Sequence, residues 1–393
     1  MPSRLNRKSG SRPKRALQPK HGPKKSQSVD EKWMANALRF AEHSDLRATA
    51  PNPQVACIIV QNDRLIAHAV HERFGGLHAE ALALKAAGPR ARGATAYLTL
   101  EPCSHTDKKT PPCVNALIAA GIRRVVIACR DENPAVSGRG VHRLKKNGIA
   151  VREGVGKNRA LELYRFFFHW IKTKKPWVTL KMAGSIDGKI TSSRRWLSNP
   201  LALHDVQRIR AQQDAILVGK NTVQTDNPRL TVRDRNGKDR LDQPLRVILD
   251  SQLQLSTRLR VFRNGPVLLA CTPNAPEAKK RKRHDAGIAT WTSSRTKNGQ
   301  VPLGELLAEL GRRGIRSVLV EGGAQVATEF LTQGKVDEAY FYVAPVLSGF
   351  EAVPLYGGPE IRPTRVRVRL LGDDACFHMD FLGKKKRLLA MRR

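Results

Sequence analysis

The sequence is poor in acidic residues and cysteine, and it contains no long apolar run. Its 34 Asp and Glu residues are outnumbered by 70 Lys and Arg residues, which gives a formal net charge of +36. No stretch of 18 or more apolar residues occurs, so the sequence predicts no membrane-spanning helix. Six cysteines in 393 residues are too few for a disulfide scaffold, and the basic N-terminus lacks the apolar segment of a secretory signal. We therefore predict a cytoplasmic protein with reduced thiols.

The positive charge is concentrated at both ends of the chain. Residues 1–28 contain nine Lys and Arg residues and no acid, and residues 384–393 contain six. Such segments cannot bury enough apolar surface to fold alone, so we predict a disordered basic tail at each end. A further basic run, KKRKR at residues 279–283, lies between two predicted strands. These charges could attract polyanions or phosphorylated metabolites, or they could simply be solvated. The tails lack the interleaved aromatic residues on which nucleic-acid bases stack, and this disfavours a nucleic-acid partner.

Predicted helices and strands alternate along two consecutive stretches of the chain. The first stretch begins with a helix at residues 30–42, and a basic seam at residues 172–176 separates it from a second series of strands. This alternation is typical of α/β domains with largely parallel sheets, and the length suits two domains. Two late strands, EAYFYVAPVL and RVRVRLL, predict an open second sheet that ends in a hairpin. No G-x-G-x-x-G follows a strand and no P-loop occurs, so the second domain is not an obvious Rossmann unit.

Four residues of the first stretch have the side chains of a zinc site with a proton carrier. His78 and Glu80 open a predicted helix, and we expect Cys103 and Cys113 to open the next one. One imidazole and two thiolates leave a fourth tetrahedral position for water, and a nearby carboxylate that is not a ligand can carry protons. Each residue alone would more often be an ordinary core or surface residue. Together they match the H-x-E and P-C parts of the zinc deaminase signature, although the cysteine spacing is C-x₉-C rather than C-x-x-C.

Residues 33–153 resemble the deaminase half of the bifunctional riboflavin-biosynthesis deaminase–reductase family. The segments that carry the resemblance are PNPQV, HAEALAL, ARGATAYLTLEPCSH, TPPC, AGIRRVV, ENPAVSGRG and NGI. The resemblance implies a cytidine-deaminase-like three-layer α/β/α domain, and it explains the long cysteine spacing as an inserted substrate loop. It also implies that His78, Cys103 and Cys113 are the Zn²⁺ ligands and that Glu80 is the catalytic proton carrier. The implied pyrimidine contacts are Asn52 and His71.

This half also departs from the family pattern. Ala56 and residues 67–69 replace positions where glycine is usual, and the loop between the two cysteines is one residue longer. Within that loop Lys108 and Lys109 could contact the substrate phosphate or be solvated, and His105 is expected near the substrate or behind a ligand. The remaining cysteines lie on apolar segments and are predicted to be buried core thiols, at Cys57, Cys129, Cys271 and Cys376.

The second stretch resembles the reductase half of the same family, so that the resemblance covers residues 30–382. The segments LKMAGSIDGKI, DAILVGKNTVQTDNPRLTVR, PLRVILDS and VEGGAQVATEFL carry it, and it implies a dihydrofolate-reductase-like α/β domain that uses NADPH. The implied cofactor contacts are Ala183, Trp196, Thr222, Asp226, Ser251, Gly323, Ala324, Gln325, Val326, Ala327, Thr328 and Glu329. The implied substrate contacts are Arg210, Leu230, Arg233 and Glu321, with Lys181 and Asp187 near the reacting end. The segment ITSSRRWLSNP is shorter than usual and has Arg194 where the family has serine.

We therefore predict two domains and two reactions on one chain. Residues 29–172 form the zinc-dependent pyrimidine deaminase domain, and residues 176–383 form the NADPH-dependent reductase domain. Deamination of 2,5-diamino-6-ribosylamino-4(3H)-pyrimidinone 5′-phosphate precedes reduction of the ribosyl group to ribityl. The alternatives are that only one half is active, or that the chain is a basic, nucleic-acid-associated deaminase. We expect a homo-oligomer without a membrane partner.

Overall fold

A computed structural model describes residues 28–104, 112–133, 136–190, 198–234, 236–296, 298–349 and 352–381. Of the predicted tails, residues 1–27 and 384–393 lie outside these ranges, whereas Ser28 caps the first helix. Among the described residues, every helix is too short or too polar to span a bilayer.

The first part of the chain forms a five-stranded mixed sheet. Its strands are β1 (Ala56–Gln61), β2 (Arg64–Val70), β3 (Thr95–Leu98), β4 (Arg124–Ile127) and β5 (Ala150–Glu153). The spatial order is β2-β1-β3-β4-β5, and β1 runs antiparallel to both of its neighbours. Only β3, β4 and β5 are mutually parallel, so the prediction of a largely parallel sheet holds for one side alone.

Helices cover both faces of this sheet, as expected for a three-layer domain. They are α1 (Val29–His43), α2 (Leu46–Thr49), α3 (Ala79–Ala87), α4 (Cys113–Ala119), α5 (Arg139–Lys146), α6 (Lys157–Leu163) and α7 (Arg165–Thr173). Alternate residues of β1 point to opposite faces. Ile59 packs in the core formed with α3, α4 and α5, while Ile58 packs in the core formed with α1, α6 and α7.

The second part of the chain forms a nine-stranded sheet. Its strands are β6 (Trp177–Ser185), β7 (Ala215–Gly219), β8 (Leu245–Leu249), β9 (Val267–Cys271), β10 (Ala289–Thr292), β11 (Ser317–Val320), β12 (Glu338–Ala344), β13 (Arg365–Leu371) and β14 (Asp374–Asp380). The spatial order is β10-β9-β8-β7-β11-β6-β12-β14-β13. The strands from β10 to β12 are parallel, and an antiparallel hairpin ends the sheet. The sheet ends in a hairpin, as predicted, but the hairpin consists of β13 and β14. Strand β14, which the sequence pattern had not indicated, lies between the two predicted late strands β12 and β13.

Helices again cover two faces, and the core positions alternate along β7. These helices are α8 (Pro200–Ala211), α9 (Lys220–Asp226), α10 (Glu277–Asp285), α11 (Leu303–Arg312) and α12 (Ala324–Thr332). Leu217 packs with α11 and α12, and Ile216 packs with α8 and α9. The α/β class expected for both halves is thus observed.

The basic run at residues 279–283 lies between strands β9 and β10, as expected, and forms part of helix α10. Its Arg283 is buried and donates to the Leu253 and Leu255 carbonyls. This arginine is therefore bound within the fold, while its neighbours Arg281 and Lys282 are exposed.

Candidate active sites

The imidazole and thiol groups predicted to bind zinc lie close together in the first domain. His78 precedes α3, Cys113 is the first residue of α4, and Cys103 lies in the segment after β3, so only one of the two cysteines opens a helix. His78 Nδ1 is 3.1 Å from Cys113 Sγ and 3.7 Å from Cys103 Sγ. Zinc bonds of about 2.0–2.3 Å place tetrahedral ligand atoms about 3.3–3.8 Å apart. The second distance lies within this range and the first is about 0.2 Å shorter, so the three groups can hold a zinc ion with one further position for water.

Glu80 lies beside these groups in the first turn of α3. Its side chain is buried, and burial raises the pKa of its carboxyl while the His78 imidazole acts in the opposite direction. A buried carboxyl next to a metal site can hold or release a proton during a reaction. The H-x-E spacing places Glu80 beside His78 because His78 occupies the N-cap position of α3 and Glu80 lies in the first turn.

Asn52 and His71 lie at the same centre. Asn52 Nδ2 is 3.4 Å from His71 Nε2, and His71 Nδ1 is 3.1 Å from the Leu77 carbonyl oxygen. The His71 ring meets the His78 ring edge to face, with 5.3 Å between ring centroids. The two predicted pyrimidine contacts are therefore next to the predicted ligand His78.

Sequence reasoning missed Glu101, which supports the segment that carries Cys103. The Glu101 carboxylate is buried and accepts hydrogen bonds from four backbone N–H groups, at Asp131, Gly138, Gly140 and Val141, over 3.0–3.3 Å. A Cβ atom on Gly140 would lie 2.3 Å from the Pro102 carbonyl oxygen, so only glycine fits there. The segments EPC and SGRG are thus bound to each other. In the sequence, the acidic residue directly before Pro-Cys was the feature that could have indicated this role of Glu101.

The four remaining cysteines are buried, as predicted, at Cys57, Cys129, Cys271 and Cys376. Ala56 is also buried, in strand β1. The expectations for His105, Lys108 and Lys109 concern residues outside the described ranges.

A cavity of about 1480 Å³ opens at the carboxyl ends of strands in the second sheet. Its centre holds a bidentate ion pair in which Arg210 Nε and Nη2 lie 2.5 and 2.8 Å from the two Glu321 carboxylate oxygens. Burial opposes charge on both groups, but their mutual attraction raises the pKa of Arg210 and lowers that of Glu321. All four predicted substrate contacts line this cavity, namely Arg210, Leu230, Arg233 and Glu321.

Two further arginines that the sequence analysis did not single out, Arg229 and Arg260, also line the cavity. Burial and the neighbouring Arg210 and Arg229 lower the pKa of Arg233. Several guanidinium groups in one cavity favour binding of a phosphate, because each offers a fork of N–H donors.

The glycine turn after β11 forms one wall of the cavity. A Cβ atom on Gly322 would lie 2.6 Å from Val326 Cβ, and Gly323 N donates to Thr222 Oγ1 over 2.9 Å. Such a turn brings backbone close to a ligand, and α12 begins directly after it. Most predicted cofactor contacts line the cavity, namely Ala183, Thr222, Asp226, Ser251, Gly323, Ala324, Gln325, Val326 and Glu329.

The remaining predictions for this half have mixed outcomes. Ala327 is fully buried in the core, and Thr328 Oγ1 accepts a hydrogen bond from Gly357 N, so both are directed away from the cavity. Trp196 and Arg194 lie outside the described residues. Lys181 lines the cavity, and burial lowers its pKa.

Asp187, expected near the reacting end, accepts hydrogen bonds that organise a loop. Its carboxylate accepts from Ser185 Oγ at 2.5 Å and from the backbone N–H groups of Ser348 and Gly349. These hydrogen bonds lower the pKa of Asp187 to about 2. The residue therefore ties the end of β6 to the segment after β12.

Comparison with known proteins agrees with this arrangement. A family model of the cytidine and deoxycytidylate deaminase zinc-binding region matches residues 27–129, and a model of the RibD C-terminal domain matches residues 176–377. The riboflavin biosynthesis protein RibD of Escherichia coli is 37% identical over 370 residues, which cover 89% of this chain and 99% of the relative. RibD of Bacillus amyloliquefaciens is 38% identical over 331 residues, which cover 83% and 87%.

Solved structures show the same relationship. RibD of Acinetobacter baumannii has a TM-score of 0.77 and 36% identity, with 90% of this chain and 98% of that chain covered. A diaminohydroxyphosphoribosylaminopyrimidine deaminase/5-amino-6-(5-phosphoribosylamino)uracil reductase from Thermotoga maritima has the same TM-score and 34% identity, with 90% and 99% covered. Since the relatives extend across both sheets and both candidate sites, the chain belongs to the RibD family and is a riboflavin-biosynthesis enzyme with a zinc-binding deaminase domain followed by a reductase domain.

Proposed function

We propose that residues 29–172 hydrolyse the 2-amino group of 2,5-diamino-6-ribosylamino-4(3H)-pyrimidinone 5′-phosphate, and that residues 176–383 then reduce its ribosyl group to ribityl. The cofactors of the two domains are zinc and NADPH. The observation that carries the proposal is the convergence of His78, Cys103 and Cys113 beside the buried carboxyl of Glu80.

In the deaminase domain the three ligand side chains hold zinc, which when bound activates water for attack. Glu80 accepts a proton and returns it to the departing amino group, because its buried carboxyl lies beside the ligands and is not one of them. Asn52 and His71 orient the pyrimidine, and their adjacency to His78 supports this role.

In the reductase domain bound NADPH supplies the hydride. The turn at Gly322 and Gly323 and the start of α12 hold the cofactor phosphates, because the absence of side chains lets the backbone approach them. Arg233 and Arg210 receive the substrate phosphate and ribosyl end, with Glu321 fixing the orientation of Arg210. Lys181 lines the same cavity with a lowered pKa, which suits exchange of a proton with the reacting group.

A two-stage assay tests the proposal. Purified protein should release ammonia from the diaminopyrimidinone substrate without NADPH, and should oxidise NADPH only after that product has formed. Glu80→Gln should lower the deaminase kcat by about 10²–10⁴-fold while the reductase rate on supplied deaminated product stays unchanged. Glu72→Gln is the matched control, since Glu72 is an exposed glutamate of the same domain.

Two outcomes would count against the assignment. Normal deamination by Glu80→Gln would refute the proton-carrier role. Failure of the wild-type protein to oxidise NADPH in the presence of the deaminated product would refute the reductase half and leave a deaminase alone.

We further propose that the protein is a cytoplasmic homo-oligomer. Support for oligomerisation comes from edge strand β13, on which Val366, Val368 and Leu370 are 48%, 56% and 77% exposed. Such apolar side chains on a sheet edge favour association with another copy. Sedimentation analysis at several concentrations tests the oligomer, and cell fractionation tests the location; a monomer at micromolar concentration would contradict the first proposal.

A further inference from the structure

Arg316 joins the two domains through a guanidinium group that makes four hydrogen bonds. It lies directly before β11, and it and Asp214, which directly precedes β7, are both buried. Arg316 Nε and Nη2 lie 3.1 and 2.9 Å from the Asp214 carboxylate oxygens. The same guanidinium donates across to the other domain, from Nη1 to the Asn52 carbonyl oxygen at 2.5 Å and from Nη2 to the Leu46 carbonyl oxygen at 2.7 Å.

These two carbonyls bracket the segment that carries a predicted pyrimidine contact. Residues 46–52 comprise helix α2, Ala50, Pro51 and Asn52, and Asn52 is the middle residue of the Pro-Asn-Pro turn. Asn52 Nδ2 approaches His71, and His71 meets the ring of His78. The backbone atom that Arg316 binds therefore belongs to the residue whose side chain faces the deaminase centre.

A second contact holds the same segment to the second domain. Arg47 of α2 forms an ion pair with Asp242, and its Nη1 donates to the carbonyl oxygens of Ala211 and Gln213 over 3.0 Å each. Arginine hydrogen bonds to buried carbonyls are directional, and a guanidinium already bound to a carboxylate loses little further freedom when it forms them. Residues 46–52 are thus held by the second domain as well as by contacts within the deaminase domain, such as that between Phe74 N and the Ala48 carbonyl oxygen.

We infer that Arg316, a residue of the reductase domain, is a positioning residue for the deamination reaction. With Asp214 fixing its guanidinium, it holds the Asn52 backbone so that the Asn52 side chain meets the pyrimidine. This inference rests on the proposed role of Asn52 in substrate binding. It requires the reductase domain for full deaminase activity even when no NADPH is present.

The test is a steady-state comparison of both reactions in the full-length variants Arg316→Lys and Arg316→Ala. Lysine keeps the charge opposite Asp214 but cannot reach the carboxylate and both carbonyls at once. We expect Arg316→Lys to lower the deaminase kcat/KM about ten-fold, mainly through KM, because small displacements of a substrate-orienting residue are costly. Bound zinc and the reductase kcat/KM should stay within about two-fold of wild type.

Arg312→Ala is the matched control, because that arginine lies four residues earlier, is 70% exposed and pairs only with Glu309 among the described residues. Unchanged deaminase KM in Arg316→Lys would overturn the inference, as would equal losses of both reactions, which would show a general structural role. If Arg316→Ala does not fold, the lysine variant alone decides. Glu80→Gln, measured alongside, separates the proposed chemistry from the positioning role. Normal deamination by Glu80→Gln would refute the chemistry, whereas normal deamination by Arg316→Lys would refute only the positioning role of Arg316.

Discussion

Arg210 and Glu321 form a buried bidentate ion pair at the centre of the reductase cavity, with N–O distances of 2.5 and 2.8 Å. Helix α8 supplies the arginine and the residue after β11 supplies the glutamate, so the pair joins two elements on which the cavity is built. Removal of one partner leaves the other charge buried without compensation, which is more costly than removal of an exposed pair.

Glu321→Gln should therefore lower the reductase kcat/KM by about 10–100-fold, because the Arg210 guanidinium loses its fixed orientation. The deaminase rate of the same preparation should stay unchanged. Glu360→Gln is the control, since that glutamate is exposed and pairs with the exposed Arg362. Equal reductase rates for both variants would show that the pair does not shape the substrate site.

Gly322→Ala should weaken NADPH binding by at least about ten-fold and leave deamination intact. The added Cβ would lie 2.6 Å from Val326 Cβ, so the turn must shift away from the position that lets its backbone approach a phosphate. Fluorescence titration with NADPH measures the effect. Gly357→Ala is the matched control, because its Cβ would meet nothing within 4 Å and its φ is not positive; a similar loss there would point to a general effect on folding.

Glu101→Gln should loosen the zinc centre without affecting the reductase. A glutamine offers one acceptor oxygen in place of a carboxylate, and its amide group would face N–H donors that it cannot satisfy. Substitution of a residue that orients a metal ligand typically lowers metal affinity by about 10–100-fold. Zinc transfer from the variant to a chelator should therefore be faster by about that factor. Glu162→Gln, at an exposed position on α6, is the control; equal zinc retention by the two variants would contradict the supporting role.

Asp30 should make the first domain sensitive to acid. Hydrogen bonds from Arg124, opposed by burial and aided by Tyr97 and Arg152, lower its pKa to about 2 from an ordinary value of 3.8. Because the folded pKa is depressed, the stabilisation is complete above about pH 4 and is lost as pH falls toward 2.

The variant Asp30→Asn should have a lower free energy of unfolding at pH 6 by about 1–2 kcal/mol, a value reduced for the solvent exposure of Arg152. The difference from wild type should shrink between pH 4 and pH 2 in urea titrations. Asp285→Asn, at a 77% exposed position, should show no such pH-dependent difference. A constant difference across that range would exclude titration of Asp30 as the cause.

The deaminase centre was predictable from local spacing. His78 and Glu80 are two residues apart on one helix turn, and the chain from β3 leads directly to Cys103, so short sequence motifs fix much of the geometry. The contact between Arg316 and Asn52 joins residues 264 positions apart and depends on a backbone carbonyl. Every residue has a backbone carbonyl whatever its side chain, so no sequence motif could indicate this contact.

Similar reasons explain other features that the sequence did not indicate. Helix α10 carries almost no apolar residues, so the hydrophobic pattern does not indicate its helical period. Its Arg283 and Lys279 bind backbone carbonyls of the fold. Ala327 and Thr328 are next to cavity residues in sequence, but successive helical residues point in different directions, which turned these two toward the core and toward Gly357.

Strand β11 places the two chemistries at its opposite ends. Arg316, which reaches the deaminase domain, precedes the strand, and Glu321 of the reductase cavity follows it, about 17 Å away at 3.3 Å per residue. Val318, Leu319 and Val320 between them have no exposed surface, so the interior of the sheet offers no passage. The deaminated product therefore reaches the reductase cavity by a path around this strand and not through it, so the two reactions are linked by travel over the protein surface or through solvent.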